Sequence, residues 1–335
     1  MVEEAARDAH DLLVRVASAY YLDDLTQAAV ARELGLSRQR VQRLLGRARR
    51  DGVVEIRIHA SPRLNLGLEA RLKETFRLAE ANVTVADPDP GVQREAVARA
   101  AAGYLERRLH DGAVVAVGMG RNTGEIPRFF RPRQPVDCTF VSAIGGSPRV
   151  DAPTNPNEIC RALAERCGGR AEALYAPAYV ESPEVRDRLL AQEAVAHTLQ
   201  VAARAEIALV GIGGTDDDAT LLRSGCLSVV EVRRLRRKGA VGDVLGNYMD
   251  VEGQVIASDV DGRLIRLTLD DLRRIGTVVG VVSEPHKSLG ILAALRSGVL
   301  DVLVVDAENA AAVLEGAGAG GAGDERATTR RSARP

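Results

Sequence analysis

The sequence predicts an α/β protein in two parts, an N-terminal helix-turn-helix followed by a Rossmann-like, mostly parallel α/β domain. Three observations point there. Residues 25–45 carry two short helical patterns separated by a glycine turn. From about residue 65 to 315, short Val/Ile-rich runs alternate with longer amphipathic stretches, the pattern of βα units and a parallel sheet. Aromatic residues make up only 3% of the chain and Trp is absent, so the core must be built from Val, Leu, Ile and Ala, as suits strands covered on both faces.

The 335 residues exceed one ordinary core and divide into about two domains. The expected division is residues 1–60 for the helix-turn-helix, 61–315 for the α/β domain and 316–335 for a tail. Ser61-Pro62-Arg63 breaks both flanking patterns and reads as a linker. The tail from Gly316 is poor in hydrophobes and is expected to be disordered.

Within the first part, Thr26 is placed to cap a helix whose apolar stripe is Ala29, Val30 and Leu34. Gly35 suits the turn, and Ser37 caps the next helix. That helix repeats apolar residues at Val41, Leu44, Leu45 and Ala48. Its other face carries Arg38, Gln39, Gln42 and Arg43. Net charge over the chain is −1. Locally, however, Arg38, Arg40, Arg43, Arg47, Arg49, Arg50 and Arg57 face only Asp51 and Glu55. Arg can pair bidentately with guanine and Gln with adenine, from the start of a recognition helix. The expected DNA-binding residues are Thr26, Gln27, Ser37, Arg38, Gln39, Arg40, Gln42 and Arg43. Val53–Ile58 then reads as a short β-wing or linker strand. A sigma-factor region uses a similar helix-turn-helix, but there it normally ends the chain, whereas about 270 residues follow here.

In the second part the strand candidates are Ala113–Val117, Thr139–Ile144, Ile207–Ile212, Thr277–Val282 and Val302–Val305. The helix candidates are Gln93–Leu109, Glu158–Cys167, Glu184–Ala203, Lys287–Ser297 and Glu308–Glu315. Ligands of open α/β sheets bind at the carboxyl ends of strands. Glycines follow three of these strands, at Gly118/Gly120, Gly145/Gly146 and Gly211/Gly213/Gly214, where backbone N–H groups can cradle an anion. Gly120-Arg121-Asn122-Thr123 opens a helix and combines N–H groups, a cation and a hydroxyl, a reasonable phosphate seat. Asp243, expected in a loop, could accept bonds from ligand hydroxyls, form an Asx turn or cap a helix. Lys287 near a helix start opposes the helix dipole, which an anionic ligand would relieve.

No basic leader and no run of about 18 apolar residues occurs, so a cytoplasmic location is expected. Cys138, Cys160, Cys167 and Cys226 form no C-x-x-C pair and read as reduced thiols. Asp216-Asp217-Asp218 reads as a solvated loop, and the histidines show no metal spacing. Neither a metal nor a cofactor is expected.

Taken together, these residues resemble the SorC family of sugar-responsive transcription regulators. The resemblance rests on Tyr20-Tyr21-Leu22 through Leu25-Thr26-Gln27, Leu34-Gly35-Leu36-Ser37-Arg38 and Gly52-Val53-Val54. It continues in Gly118-Met119-Gly120-Arg121, Asn155-Pro156-Asn157-Glu158, Gly239-Ala240-Val241-Gly242-Asp243 and the stretch from Lys287 to Asp306. It implies an effector domain related to sugar-phosphate isomerases and deaminases, an oligomeric assembly (homodimer or homotetramer), and a phosphorylated sugar as effector. The family pattern has Thr directly after the Gly-Arg pair, where this chain has Asn122. It also has a Gly-Gly pair before the lysine, where this chain has Ser283-Glu284-Pro285-His286 and loses close backbone access.

The function expected is therefore a non-enzymatic regulator of a carbohydrate operon that binds double-stranded operator DNA and is switched by a small phosphorylated sugar. The expected effector residues are Gly118, Gly120, Arg121, Asn122, Thr123, Gly145, Gly146, Gly211, Gly213, Asp243 and Lys287. Two other readings stay open: a sugar-phosphate isomerase or deaminase with a DNA-binding arm, using Asp243 and His286, and a regulator answering a non-phosphorylated polyol.

Overall fold

The structure is a computed structural model that describes residues 2–23, 25–54, 65–147, 154–216, 222, 225–284 and 286–319. The chain forms two compact units, Met1–Ala60 and Ser61–Pro335.

The first unit holds α1 (Val2–Tyr21), α2 (Gln27–Glu33) and α3 (Arg38–Arg50). Both predicted caps form: Thr26 Oγ1 accepts from the Ala29 N–H and Ser37 Oγ from the Arg40 N–H, each at 3.2 Å. Gly35 turns the chain between them at φ +64°, a conformation that costs a side-chain-bearing residue energy. Val41, Leu45 and Ala48 are buried on one stripe of α3, Val41 and Leu45 against Val16, Ala19, Val30 and Ala31. The β-wing expectation for Val53–Ile58 falls mostly on residues outside those described, as does the Ser61–Arg63 linker.

The second unit begins with α4 (Leu66–Phe76), β1 (Glu80–Thr84), α5 (Pro90–Arg108), β2 (Val114–Val117) and α6 (Arg121–Phe129). There follow β3 (Thr139–Ser142), α7 (Pro156–Cys167), β4 (Arg170–Glu172), α8 (Pro183–Leu190) and α9 (Glu193–Ala203). Next come β5 (Ile207–Gly214), α10 (Val229–Arg237), β6 (Gly242–Val244) and β7 (Asn247–Met249). The unit ends with β8 (Thr277–Val282), α11 (Ser288–Arg296), β9 (Val302–Asp306) and α12 (Ala307–Ala319). The sheet order is β1-β9-β8-β5-β2-β3-β4, with every pair along it parallel. The hairpin β6–β7 is antiparallel, and so is its pairing with the end of β5.

Alternation along the strands explains why helices cover both faces. Val115, Val117, Leu209, Val279, Val281 and Val304 point to one core with Val97, Leu105, Ile126 and Leu163 of α5, α6 and α7. Ala116, Val210, Val278, Val282, Leu303 and Val305 point to the other, against Leu72, Ala202, Leu235, Ile291 and Val313. Each fully buried Val or Leu contributes roughly 1.5–3 kcal/mol by leaving water, which is how a chain with few aromatics sustains two cores.

Three expectations are corrected. The single helix expected over Glu184–Ala203 is two, because Gln192 is extended (φ −71°, ψ 129°) and caps α9. The break lets α8 reach the turn at 261–263, where Arg186 donates to the Asp261 carbonyl, while Val195 and Leu199 of α9 turn inward. The tail starts later than Gly316, since Gly316–Ala319 continue α12; residues 320–335 lie outside those described. Asp243 is in a strand, β6, rather than a loop.

The α10 N-terminus is tied down by Glu231. Its carboxylate completes a capping box with Ser228, accepts from the Tyr179 hydroxyl at 2.5 Å and meets Arg263 at 2.6 Å. Burial disfavours the carboxylate, but the bonds from Tyr179, Ser228 and Arg263 outweigh it and hold its pKa down to about 2. A depressed carboxylate pKa stabilises the fold above the unfolded value, 4.5, and the contribution disappears as pH falls through that value toward 2. Glu231→Gln is therefore expected to lower stability near pH 7 by at most about 2 kcal/mol, allowing for partial exposure. Thermal melts between pH 7 and pH 3 check this: the gap from wild type should narrow steadily below pH 4.5.

Candidate functional site

From β2 the chain runs outward through β3 to β4, then returns with β5 on the other side of β2 and continues through β8 to β9, which lies beside β1. Strand order thus reverses between β2 and β5. The helix after β2, α6, packs on one face and α10, after β5, on the other. Connections that diverge in this way leave a crevice at the carboxyl ends of the two strands.

The crevice is a small cleft lined by Met119, Gly120, Arg121, Asn122, Ile144, Gly211, Ile212, Gly213, Asp243, Leu245, Gly246, Glu284 and Lys287. Of the expected effector residues, Gly120, Arg121, Asn122, Gly211, Gly213, Asp243 and Lys287 meet there. The others do not. Gly118 lies under Leu245, whose Cδ2 would stand 2.6 Å from any Cβ at that position. The Thr123 hydroxyl is turned inward to the Gly120 carbonyl at 3.2 Å. Gly145 and Gly146 spend their N–H groups on the carbonyls of Ile265 and Ala176, both at 2.9 Å, so they form no free nest.

Asp243 is held over Gly213, where any Cβ would collide with its carboxylate, and Oδ2 accepts from the Gly246 N–H at 2.7 Å. That bond closes the β6–β7 turn, in which Leu245 (φ +53°) and Gly246 (φ +73°) both adopt positive φ, as a two-residue hairpin requires. A leucine there is strained, and its side chain forms part of the cleft wall. Burial raises the Asp243 pKa, against the lowering effects of the Gly246 bond, Lys287 and Arg266. Lys287 is itself buried and stands 3.8 Å from Asp216. Asp217 and Asp218 lie outside the described residues, and among the described residues no cluster of three or more His, Cys, Asp or Glu is arranged to hold a metal.

Glu284 is the residue that sequence reasoning misjudged. Read as an obstacle, it is instead a lining side chain. Its Oε2 accepts from Asn122 Nδ2 at 2.6 Å and its Oε1 stands 3.2 Å from Arg121 Nε and 4.0 Å from Arg94 Nε. Ser283 donates to Asn122 Oδ1 at 2.5 Å, Gln93 donates to the Ser283 carbonyl and Asn309 to that of Glu284. Groups from α5, α6 and α12 thus lock this carboxylate at the start of α6. His286 is exposed and outside the lining, so it is not brought to Asp243; Pro285 lies outside the described residues.

In the first unit, Thr26, Ser37, Arg38, Gln39, Arg40, Gln42 and Arg43 are all exposed and Gln27 half-buried. Arg47, Arg49 and Arg50 add positive charge to the last turn of α3.

All four cysteines are buried and free, and burial pushes Cys138 and Cys160 up to about 12, which leaves them as inert thiols at neutral pH. Among the described residues, no helix is long and apolar enough to cross a membrane.

Comparison with known proteins bears on both units. Residues 62–315 match the family described as "Putative sugar-binding domain", and residues 15–51 are similar to sigma-70 region 4. The chain is 32% identical to the erythritol catabolism regulatory protein EryD of Brucella abortus, over 92% of this chain and 98% of that one. It is 33% identical to the transcriptional regulator LsrR of Klebsiella pneumoniae, over 91% and 93%. Among solved structures it superposes on the full-length sorbitol operon regulator SorC of Klebsiella pneumoniae with a TM-score of 0.71 and 28% identity, covering 91% of this chain and 98% of that one. The sugar-binding domain of a transcriptional repressor from Vibrio fischeri gives a TM-score of 0.71 at 37% identity, over 76% and 100%.

A buried carboxylate with a raised pKa costs the fold stability once it is ionised: the native state binds the proton more tightly, so the contribution is lost as pH rises through the folded pKa. Asp243→Asn keeps an oxygen for the Gly246 N–H and removes the charge. It is expected to raise Tm by about 2–4 °C at pH 7–8. The gain should vanish as pH falls to the ordinary value of 3.8, and calorimetry across that range checks it.

Proposed function

We propose that this chain, which belongs to the SorC family of sugar-responsive transcription regulators, controls a carbohydrate-metabolism operon in the cytoplasm. In this reading α3 reads operator DNA, and a small sugar or sugar derivative in the β2–β5 cleft changes how well it does so. The chain is a regulator and not an enzyme, as its relatives are named for transcription control. The observation that carries the effector reading is the cleft at the strand-order reversal, where Arg121, Asn122, Asp243, Glu284 and Lys287 converge. Five side chains that can donate to or accept from hydroxyls suit a polyhydroxylated ligand far better than an apolar one.

A phosphorylated effector is the finer expectation that the family resemblance carries to this cleft. It is supported by Arg121 and Lys287 and by the N–H groups that open α6, which favour an anion. Against the phosphate stands the Glu284 carboxylate, already bonded in that place.

On the DNA side, Gln39 and Gln42 near the start of α3 would read base edges, and Ser37, Arg38, Arg40 and Arg43 would position the helix on phosphates, aided by Thr26 and Gln27. A symmetric homodimer or homotetramer would present paired recognition helices to a palindromic operator. For a switch to result, the ligand must bind the DNA-competent and DNA-incompetent states unequally.

The direct experiment is fluorescence anisotropy on DNA from the chain's own upstream region, across a salt series, with sugars and their phosphates added in turn. Gln42→Ala is expected to cost about 1–3 kcal/mol on the operator and to relax preference at one base pair. Arg38→Ala should weaken binding to all sequences alike and flatten the salt dependence by about one ion. Absence of any sequence preference across the salt series would overturn the regulator reading.

A further inference from the structure

We propose that the effector of this chain is an uncharged polyhydroxylated compound, with the Glu284 carboxylate occupying the place that an effector phosphate would take. The inference rests on the regulator reading above for the word effector, and on the cleft alone for its chemistry.

The first argument is occupancy. An anion entering the cleft would seek Arg121 and the amides that open α6. Glu284 is already there, only 8% exposed, accepting from Asn122 at 2.6 Å and paired with Arg121 at 3.2 Å. The carboxylate is not a chance rotamer. Its backbone is tied by the bond from Asn309 to its carbonyl, and its neighbour Ser283 by bonds to Asn122 and from Gln93. Expelling it would break a locked network in a buried place, where each unmade charged bond is expensive.

Charge gives the second argument. In and beside the cleft Arg94 and Arg121 meet Glu284, Lys287 meets Asp216, and Arg266, which acts on Asp243, meets Asp261, so that four cations face four carboxyl groups among the described residues. A site whose charges already cancel offers no net attraction to a phosphate dianion, and two carboxylates at short range repel it.

Hydrogen-bond type gives the third. Ionised carboxylates only accept, and phosphate oxygens of a dianion only accept, so neither can satisfy the other. A hydroxyl both donates and accepts. Successive hydroxyls of a polyol can donate to Asp243 and Glu284 while accepting from Arg121 and Lys287, which matches every charged group lining the cleft.

The test is isothermal titration calorimetry of the full chain without DNA. The probes are erythritol, ribitol and sorbitol, their terminal phosphate monoesters, and inorganic phosphate. The proteins are wild type, Glu284→Gln and Glu284→Gly, each checked for folding by thermal melt; the glutamine variant keeps the shape if the glycine variant does not fold. At least one free alditol should bind wild type at least about tenfold more tightly than its own monoester. Removing the carboxylate should raise affinity for inorganic phosphate or the monoesters by about tenfold and weaken alditol binding. A monoester that binds wild type more tightly than its alditol overturns the proposal. So does phosphate affinity unmoved by both substitutions, or no alditol binding at all. Because DNA is absent, any of these failures leaves the DNA-binding reading standing. Conversely, a chain that discriminates alditols as expected but shows no operator preference would lose the regulator reading alone.

Discussion

The reversal of strand order between β2 and β5 is the constraint on which the rest depends. Where neighbouring parallel strands send their connections to opposite faces, no helix can close the gap at their carboxyl ends. The chain must wall the crevice with whatever comes near: the Gly118–Asn122 turn from β2, the glycines ending β5, the β6–β7 hairpin and the 283–287 loop after β8. Each of these segments carries features that make little sense for stability alone. Gly213 yields its side-chain space to Asp243, Leu245 accepts a positive φ, and Glu284 and Lys287 are charged groups held below 9% exposure.

Such features are costs, and their concentration in one place marks the site. A carboxyl group buried at Asp243 and a strained leucine beside it each forgo stability that an ordinary loop would keep. The two-sided Val/Leu core of the sheet offsets them, being rigid enough to hold the crevice walls in register from Val115↔Ile207 onward. This division, a packed apolar scaffold with polar groups at one sheet end, is the arrangement on which the proposed effector reading rests.

Much of this was legible from the residues. The recognition helix could be read because cap, stripe and basic face recur at fixed spacing, and the parallel strands because their apolar runs are bounded by glycine. Gly120, Arg121, Asp243 and Lys287 were reachable by the rule that ligands sit at strand ends. What escaped had no local signal. The β6–β7 hairpin has Leu245-Gly246 where a readable turn would have Asn-Gly, so Asp243 looked like a loop residue. The split of Glu184–Ala203 depends on packing of its two halves against different segments. Gly145 and Gly146 looked like a nest, but their partners, Ala176 and Ile265, lie 30 residues and more away in sequence. Glu284 could be identified as unusual from sequence, yet its role depends on Arg121 and Asn122, more than 160 residues away.

The central claim is that the controlling small molecule sits in the crevice and is held by the β2–α6 turn, the β6–β7 hairpin and the 283–287 loop. Hydrogen–deuterium exchange with and without saturating alditol tests it most directly, since amides that a ligand covers or steadies exchange more slowly. The account predicts new protection in peptides spanning 118–124, 242–247 and 283–288, with α7 unchanged. Protection confined to the edge strands β1 and β4, or no change at all in the crevice peptides at saturation, would contradict it.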